Sequence, residues 1–353
     1  MSESIAPELT RPGQAPAFTG ISLVIPYFNE GAVISECLEA VSRSWAKLSD
    51  DRRGAFELIL VDDCSPIPYR EEGAARPFSF RTWRMEQNGG AGHARNHGAE
   101  LARFSHLLFV DADVLLEERT LGYLFDRLSS DPGIKVLQGP YARTPANRDA
   151  DMFHHYMAVA WYYNTFLITE RTVGCLLRTG CVVFDRAYFR GIGGFSNSYP
   201  KSGGEEHEIV SRIAPEAIVR DRDFTALHYH DSLPERLRKL FRRGTHYMDT
   251  IGRNTHIPLP FKIVSGLKAL CALGMTGSLL LALLSPVHGL LAYGALFALC
   301  ALAEGRMMLF MIRHRSLALA ALAVVFTQLE YTAISLGMLF NMVRFGRTPA
   351  HAE

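Results

Sequence analysis

Hydrophobic positions in the first third of the chain fall into short unbroken runs, separated by longer segments of helical period. Ile21 to Phe28 reads as one such run, ending at Pro26, as expected of a parallel strand covered on both faces. Val33, Ile34, Cys37, Leu38, Val41, Trp45 and Leu48 then recur at helical spacing, which predicts a helix returning across a sheet. Phe56 to Val61 predicts a second strand, closed by Asp62, Asp63, Cys64, Ser65 and Pro66. Gly92 to Phe104 predicts a second helix. Leu107 to Val110, in the apolar stretch that starts at His106, predicts a third strand. The alternation makes the fold class α/β. Each predicted strand ends in a polar cluster: Asn29 with Glu30, Asp62 with Asp63, Asp111 with Asp113. In a right-handed βαβ series these ends share one edge of the sheet, the edge at which such folds bind ligands.

The pattern changes from Ile263 onward, where charges become sparse and Leu, Ala and Gly dominate. Ile263 to Leu284 and Pro286 to Ala303 are apolar stretches of near-spanning length joined by a tight turn, and Leu317 to Val343 is long enough to span again. Gln328 and Glu330 fall near the middle of that last stretch, where polar groups face protein or a cavity. Arg306, Arg313 and Arg315 place the intervening segment in the cytoplasm by the positive-inside rule. Two spans keep the N-terminal part there too, whereas a third full span puts Arg344 and Arg347 outside, so the expectation is two or three transmembrane helices. Ahead of them, Ser232-Leu-Pro-Glu235 reads as a capping box. It opens a helix in which basic residues surround Leu237, Leu240 and Phe241, a pattern suited to an anionic membrane surface and to a lipid phosphate.

With 353 residues, 48% of them hydrophobic, the chain can build one large or two medium units. Basic and acidic residues balance at 37 and 36, so no nucleic-acid partner has global electrostatic support. The six cysteines show no Cys-x-x-Cys or His/Cys zinc spacing and read as core thiols in a reducing compartment. Residues 1–20 hold three Pro and little periodic apolar content, which predicts a flexible tail without a signal peptide.

The candidate chemistry starts at Asp111-Ala-Asp113. Two carboxylates delivered at a strand's C-terminal edge are hard oxygen ligands suited to Mg²⁺ or Mn²⁺. Alone, such a pair is also what a solvated turn looks like, and Asn29, Glu30 and Asp62 could simply cap the segments that follow. Capping explains poorly why all three strands end in an acid plus a turn residue. In Asn88-Gly-Gly-Ala-Gly-His-Ala-Arg-Asn96 a Gly-x-Gly opens a helix. A nicotinamide site wants Gly at position 95 and a place after the first strand, so Arg95 and the late position argue against one. The glycines still allow backbone N–H groups near a phosphate, with Arg95 as a bidentate donor.

Taken together, Ile25-Pro-Tyr-Phe-Asn-Glu30, Val61-Asp-Asp-Cys-Ser65, the Asn88 to Asn96 segment, Asp111-Ala-Asp113, Thr179-Gly180 leading to Gly193-Gly-Phe195, and Gly204-Glu-Glu-His-Glu208 occur in this order within residues 21–230. In that order they resemble the family 2 glycosyltransferases, inverting enzymes of GT-A fold. The resemblance implies a GT-A nucleotide-diphospho-sugar transferase domain over residues 21–230, with a Rossmann-like mixed sheet. A basic interfacial helix or linker over 231–260, transmembrane helices over 261–345 and a tail over 346–353 follow from the composition.

For the donor, the resemblance implies a nucleotide sugar held by Pro26, Asn29, Glu30, Asp62, Asp63, Gly90, Arg95 and Asp111, with Asp62 or Asp63 on the base and Glu30 near the ribose. It implies a divalent metal on Asp113, with Asp111 by ribose or indirect contact and His228 as a third ligand. The general base falls to Glu206, or to Glu205, because Glu replaces the Asp usual at this position. Gly203-Gly204 would form a mobile closing loop, and the segment from Tyr141 to Tyr163 would lie near the acceptor. The acceptor implied is a lipid or lipid-linked saccharide at the cytoplasmic face of the plasma membrane. No Gln-x-x-Arg-Trp motif of the processive polymerases occurs. A polyprenyl-phosphate sugar synthase is a rival within the family; a nucleotidyltransferase and a non-catalytic membrane scaffold are rivals outside it.

Overall fold

A computed structural model of the chain describes residues 17–71, 75–164, 177–196, 205–253 and 259–345. Most of the expected N-terminal tail, the tail after 345 and the Gly203-Gly204 pair lie outside the described residues. The chain divides into two compact units, one comprising Met1–Pro140 with Leu177–Ala226, the other Tyr141–Leu176 with Leu227–Glu353.

The first unit contains β1 (Ile21–Tyr27), α1 (Val33–Ala46), the single turn α2 (Asp50–Arg53), β2 (Phe56–Asp62), β3 (Ser79–Arg84), α3 (Ala91–Leu101), β4 (His106–Val110), β5 (Val114–Leu116), α4 (Thr120–Ser130) and β6 (Val136–Gln138). The chain then leaves for α5 (Met152–Tyr162) of the second unit. It returns with β7 (Cys181–Asp185), α6 (Arg186–Gly191), α7 (Glu205–Ser211) and β8 (Ile218–Arg220). The sheet has seven strands in the order β3-β2-β1-β4-β7-β6-β8. β3, β2, β1 and β4 are mutually parallel, and β7 runs antiparallel between β4 and β6. The unbroken apolar runs are the strands covered on both faces: β2 and β4 are buried at every position. β3 escapes the sequence pattern because it is an edge strand, Ser-Phe-Arg-Thr-Trp-Arg, half exposed and studded with charge. β7, buried throughout, also went unpredicted.

The second unit gathers α5 with α8 (Leu233–Arg253), α9 (Leu259–Leu284), α10 (Pro286–Ala303), α11 (Gly305–His314) and α12 (Leu317–Phe345). Three of these helices are long and apolar enough to cross a membrane, over Gly266–Leu284, Pro286–Ala303 and Leu317–Asn341. Their surfaces keep Leu280, Leu283, Leu284, Leu290 and Leu291 exposed, an apolar patch that water disfavours and a bilayer does not. Several polar groups of these helices and their ends face protein. Gln328 donates to the Ala272 carbonyl at 3.3 Å, Lys268 pairs with Glu304, and Glu330 accepts from Arg236 at 2.7 Å and from the Tyr156 hydroxyl at 3.0 Å. One correction concerns α8. Its apolar stripe, expected against lipid, is covered by α12: Leu240 is buried, Phe241 lies 5.8 Å from the Phe340 ring, and a Cβ at Gly244 would meet the Ile334 carbonyl. The helix-opening device is half a capping box, with the Ser232 N–H and hydroxyl both donating to Glu235.

One charge is buried in the middle of the first unit's sheet. Glu57, fully buried on β2, accepts from the Ser22 hydroxyl at 2.7 Å, from the Arg103 N–H and guanidinium at 2.7 and 2.9 Å, and from Arg81 at 2.8 Å. Burial pushes its carboxyl up, but the bonds from Ser22, Arg103 and Arg81 outweigh it and hold the group below the usual carboxylate range. Removing the charge by Glu57→Gln strands two guanidiniums that are half open to water and can rehydrate. The expected loss is about 2 kcal/mol, below the range for fully buried pairs, read as a lower thermal midpoint in detergent. Because the folded pKa is depressed, the stabilisation is complete above the unfolded carboxylate range and fades as pH falls through the folded value. The gap between wild type and Glu57→Gln therefore closes in acid; a gap that widens there contradicts the assignment.

Candidate active site

The strand order itself locates the site. From β1 the chain moves outward to β2 and β3, then recrosses through α3 to β4 on the other side of β1. The topological switch point therefore lies between the C-terminal ends of β1 and β4, where open α/β sheets hold ligands. Asn29 and Glu30 follow β1, and Asp111 and Asp113 follow β4. The backbone there is bent into unusual shapes. Asn29 and Cys64, just after β1 and β2, both have φ of 58°, a left-handed conformation that non-glycine residues adopt mainly at tight or functional turns. The Asn29 N–H donates to the Ser65 hydroxyl at 3.0 Å, tying the two loops together. Pro26, still within β1, pairs in register with Val61.

Asp62 and Asp63 divide the work of shaping these loops. Asp62 accepts from the backbone of Ser65 and Tyr69 at 2.8 and 3.1 Å and from Arg84 at 2.6 Å. Burial raises its carboxyl, and the donors from Ser65, Tyr69 and Arg84 more than reverse that, leaving it below the ordinary value. Asp63 accepts from the N–H groups of Gly89 and Gly90 at 2.9 and 2.7 Å; burial prevails there and its pKa is raised. Gly90 has φ of 86°, which a side chain would resist. Both carboxylates, the residues expected on the nucleotide base, hold the loop frame around the switch point.

The Asp111-Ala-Asp113 turn presents its acids on the side away from the core, since Ala112 is buried and both Asp are part-exposed. The Asp111 N–H donates to the Gly180 carbonyl at 2.9 Å. Beneath the turn, the Cys37 thiol contacts the Asp111 carbonyl at 3.8 Å; burial pushes that thiol up, and the Asp113 and Asp111 charges add to the shift. Arg95 differs from the expectation of a phosphate donor. Its side chain is 3% exposed and binds Asp111 at 2.5 Å, with the guanidinium 5.4 Å over the Phe195 ring. The α3 face that carries Arg95 is the one packed on the core, so the guanidinium points inward and orients an acid.

Glu206 sits in the first turn of α7 and accepts from the Thr179 hydroxyl at 3.3 Å. Thr179 and Gly180 are adjacent residues, so one dipeptide leading into β7 holds both Glu206 and the Asp111 backbone. The Glu205 side chain lies outside the described residues. Sequence reasoning missed two supports. Asn96 exchanges two bonds of 2.8 Å with the Phe195 backbone, and a Cβ at Gly194, where φ is 63°, would strike the Asn96 side chain. Arg212 binds Glu208 through two nitrogens at 2.8 and 2.6 Å and caps the Gly194 carbonyl at 2.6 Å. The signal for the second pair was an acid and an arginine four residues apart on a helix. His228 belongs to the second unit, with its ring 4.8 Å from each of Tyr141, Trp161 and His230. Among the described residues no group of three or more His, Cys, Asp or Glu is gathered to hold a metal.

Comparison with known proteins agrees with this geometry. Residues 22–192 match the family described as Glycosyl transferase family 2. Glycosyltransferase GlyG of Streptococcus pneumoniae is 27% identical over 124 residues, 34% of this chain and 39% of that protein. An uncharacterized glycosyltransferase of Haemophilus influenzae is 28% identical over 120 residues, 34% of this chain and 38% of its own length. The matched part is thus well under half of these relatives. Among solved structures, the mannosyltransferase PcManGT from Pyrobaculum calidifontis, in complex with GDP-Man and Mn²⁺, superposes with a TM-score of 0.51 at 18% identity, over 93% of this chain and 88% of that one. The fold is therefore GT-A.

The buried Arg95 makes a stability test of the site's frame. Arg95→Met keeps the bulk of the side chain and removes the guanidinium from Asp111, which is 33% exposed and partly rehydrates. A loss of about 2 kcal/mol is expected, less than for a fully buried pair, and Arg95→Lys recovers little of it because an ammonium lacks the planar fork. Unchanged thermal midpoints in both variants would show that the pair does not hold the turn.

Proposed function

Since residues 22–192 make this chain a member of glycosyl transferase family 2, we propose that it transfers a sugar, with inversion, from a nucleotide diphosphate sugar to a lipid or lipid-linked saccharide. The observation that carries the reading is the Thr179-Gly180 dipeptide. It ties the acidic turn after β4 and the carboxylate of Glu206 to neighbouring residues, whose Cα atoms lie about 3.8 Å apart. The donor binds in the crevice between the ends of β1 and β4, its base and ribose bordered by the loops that Asp62, Asp63 and Glu30 frame. Glu206 takes the proton of the acceptor hydroxyl as the oxygen attacks the anomeric carbon, opposite the breaking bond to the diphosphate. One displacement inverts that carbon. Glu205, next to it at the start of α7, is the other carboxylate available as base.

The donor set fits a divalent ion. Asp111 and Asp113 are hard oxygens on one exposed turn, and Mg²⁺ or Mn²⁺ at a diphosphate takes one or two carboxylates with the phosphates supplying the rest, so a third protein ligand is not required; His228 would be such a third ligand. When bound, the ion neutralises charge gathering on the leaving diphosphate. Arg95 keeps Asp111 in place for it. PcManGT, in complex with GDP-Man and Mn²⁺, lends support by fold alone.

The acceptor side is read from the second unit. Three helices long enough to cross a membrane favour a lipid-borne acceptor, and Arg306, Arg313 and Arg315 between the second and third favour a cytoplasmic catalytic face at the plasma membrane, where nucleotide sugars are made. The test is nucleoside diphosphate release by the purified full chain, over a panel of nucleotide sugars with Mn²⁺ or Mg²⁺ and membrane lipid extract. Asp113→Ala is expected to abolish release. Glu206→Gln should lower kcat about 10²- to 10⁴-fold while donor binding is retained. Pyrophosphate in place of nucleoside diphosphate would make the chain a nucleotidyltransferase, and full biological activity of both variants would make it a scaffold.

A further inference from the structure

Three cations of the second unit are paired with carboxylates. Arg236 has Glu330, Lys239 has Asp231 at 2.6 Å, and Lys268 has Glu304. A cluster at the end of α11 differs from these. There, among the described residues, no carboxylate pairs with Arg143, Arg313 or Arg315. Yet two of these arginines are fixed in place. Arg143 donates to Nδ1 of His314 at 3.0 Å, and Arg315 donates to the Arg143 carbonyl. The Arg143 guanidinium lies 5.4 Å over the Tyr162 ring. Tyr162 stacks on Phe310 at 5.9 Å with planes 9° apart, and Phe310 sits 4.4 Å from His314. A guanidinium has no acceptor, so the contact with His314 leaves the lone pair on Nδ1 and the proton on Nε2. Two guanidiniums and one imidazole N–H are thereby held as a set of donors on an aromatic stack, where little entropy remains to be lost on binding.

The setting identifies what such a set would meet. α11 is a ten-residue link between two helices long enough to cross a membrane. Its inner side, Met307 and Met311, is buried in a cluster with Phe153 and Met157. Its outer side leaves Leu309 and Ile312 55% and 41% exposed, and Leu317 just beyond is 71% exposed. Cations bracketed by exposed leucines are stable where hydrocarbon meets water, and the anions abundant there are lipid phosphates. His155 records the local field: burial lowers its pKa, and the charge of Arg315 lowers it further.

We propose that Arg143, His314 and Arg315 form the receiving site for the phosphate of the acceptor lipid, with the lipid chain lying along the exposed leucines. A phosphate monoester, with two negative charges and three terminal oxygens, suits two guanidiniums and an imidazole N–H. The assignment rests on the reading that the acceptor is a lipid, and it gives that acceptor a phosphate next to the membrane surface.

The test uses the full chain in detergent micelles and a radiolabelled polyprenyl monophosphate, with no nucleotide sugar present, so that binding is read apart from transfer. The double variant Arg143→Gln/Arg315→Gln is compared with Arg238→Gln/Arg242→Gln, which removes the same charge from exposed positions on α8. At roughly fivefold per arginine, the first variant should bind the lipid phosphate about twenty-five-fold more weakly, with an unchanged thermal midpoint. The α8 variant removes screened charges outside the site and should stay within about twofold of wild type. Equal losses in both variants, loss only in the α8 variant, or no loss in either overturns the site. Inorganic phosphate that competes as well as the lipid does overturns the lipid as its occupant. The two readings fail separately: lipid phosphate that binds through these arginines and accepts no sugar sinks the acceptor assignment and keeps the site. A glycosylated lipid whose transfer and binding are indifferent to both arginines does the reverse.

Discussion

At the end of β4 the chain passes within one residue from a fully buried strand to a turn that must show two carboxylates to solvent. The turn is held there from two sides. The Asp111 N–H reaches across to Gly180, just ahead of the strand that runs antiparallel to β4, and its carboxylate is gripped by the buried Arg95. Because β4 borders β1 on one side and β7 on the other, this junction fixes the switch-point crevice and the Thr179 contact to Glu206 together. A turn held only by its own hydrogen bonds would sample many orientations of two like charges. The price is a guanidinium taken out of water, tolerable because Asp111 and the face of Phe195 receive it.

The neighbouring loops show the same economy. Asp62 and Asp63 are adjacent and both buried, yet their surroundings drive their pKa values in opposite directions. Asp62 has a guanidinium and two amides, so the ionised form wins; Asp63 has amides alone, and the cost of burial prevails. Each acid closes a different loop, the first over Ser65 to Tyr69, the second over Gly89 and Gly90. A ligand that reaches these carboxylates must compete with, or share, donors the protein already supplies.

What the sequence disclosed follows from which forces leave a local trace. Strands buried on both faces are apolar at most positions, with exceptions such as Glu57 that are paired inside, so β1, β2 and β4 and their acidic ends were legible, as were the three long apolar helices. β3 was not, because an edge strand has only one neighbour and keeps its charges. The inward turn of Arg95 left no trace, since a Gly-rich helix start with an arginine reads equally as a phosphate loop; only its packing against Phe195, a hundred residues later, decides the direction. The apolar stripe of α8 was legible, but its partner was not. A stripe says that something apolar covers it, and whether that is lipid or Ile334, Gly337 and Phe340 of α12 is a tertiary matter. Glu205 and Glu206 remain a pair of candidates because both fall in the same first helical turn.

The division of the chain carries the last step. Tyr141–Leu176 leaves the catalytic unit after β6 and belongs, through α5, with the long apolar helices before β7 resumes the sheet. Phe153, Tyr156 and Met157 of α5 pack with Met307, Met311, Leu319 and Ala323, and the Tyr156 hydroxyl is bonded to Glu330 of α12. The unit of long apolar helices is therefore no passive anchor appended to an enzyme, since it owns a segment inserted between two strands of the catalytic sheet. The two ends of that segment are Pro140, after β6, and Leu177, before the dipeptide that holds Glu206 and Asp111. A catalytic unit built alone would have to close that gap with a loop that owes its order to helices it lacks.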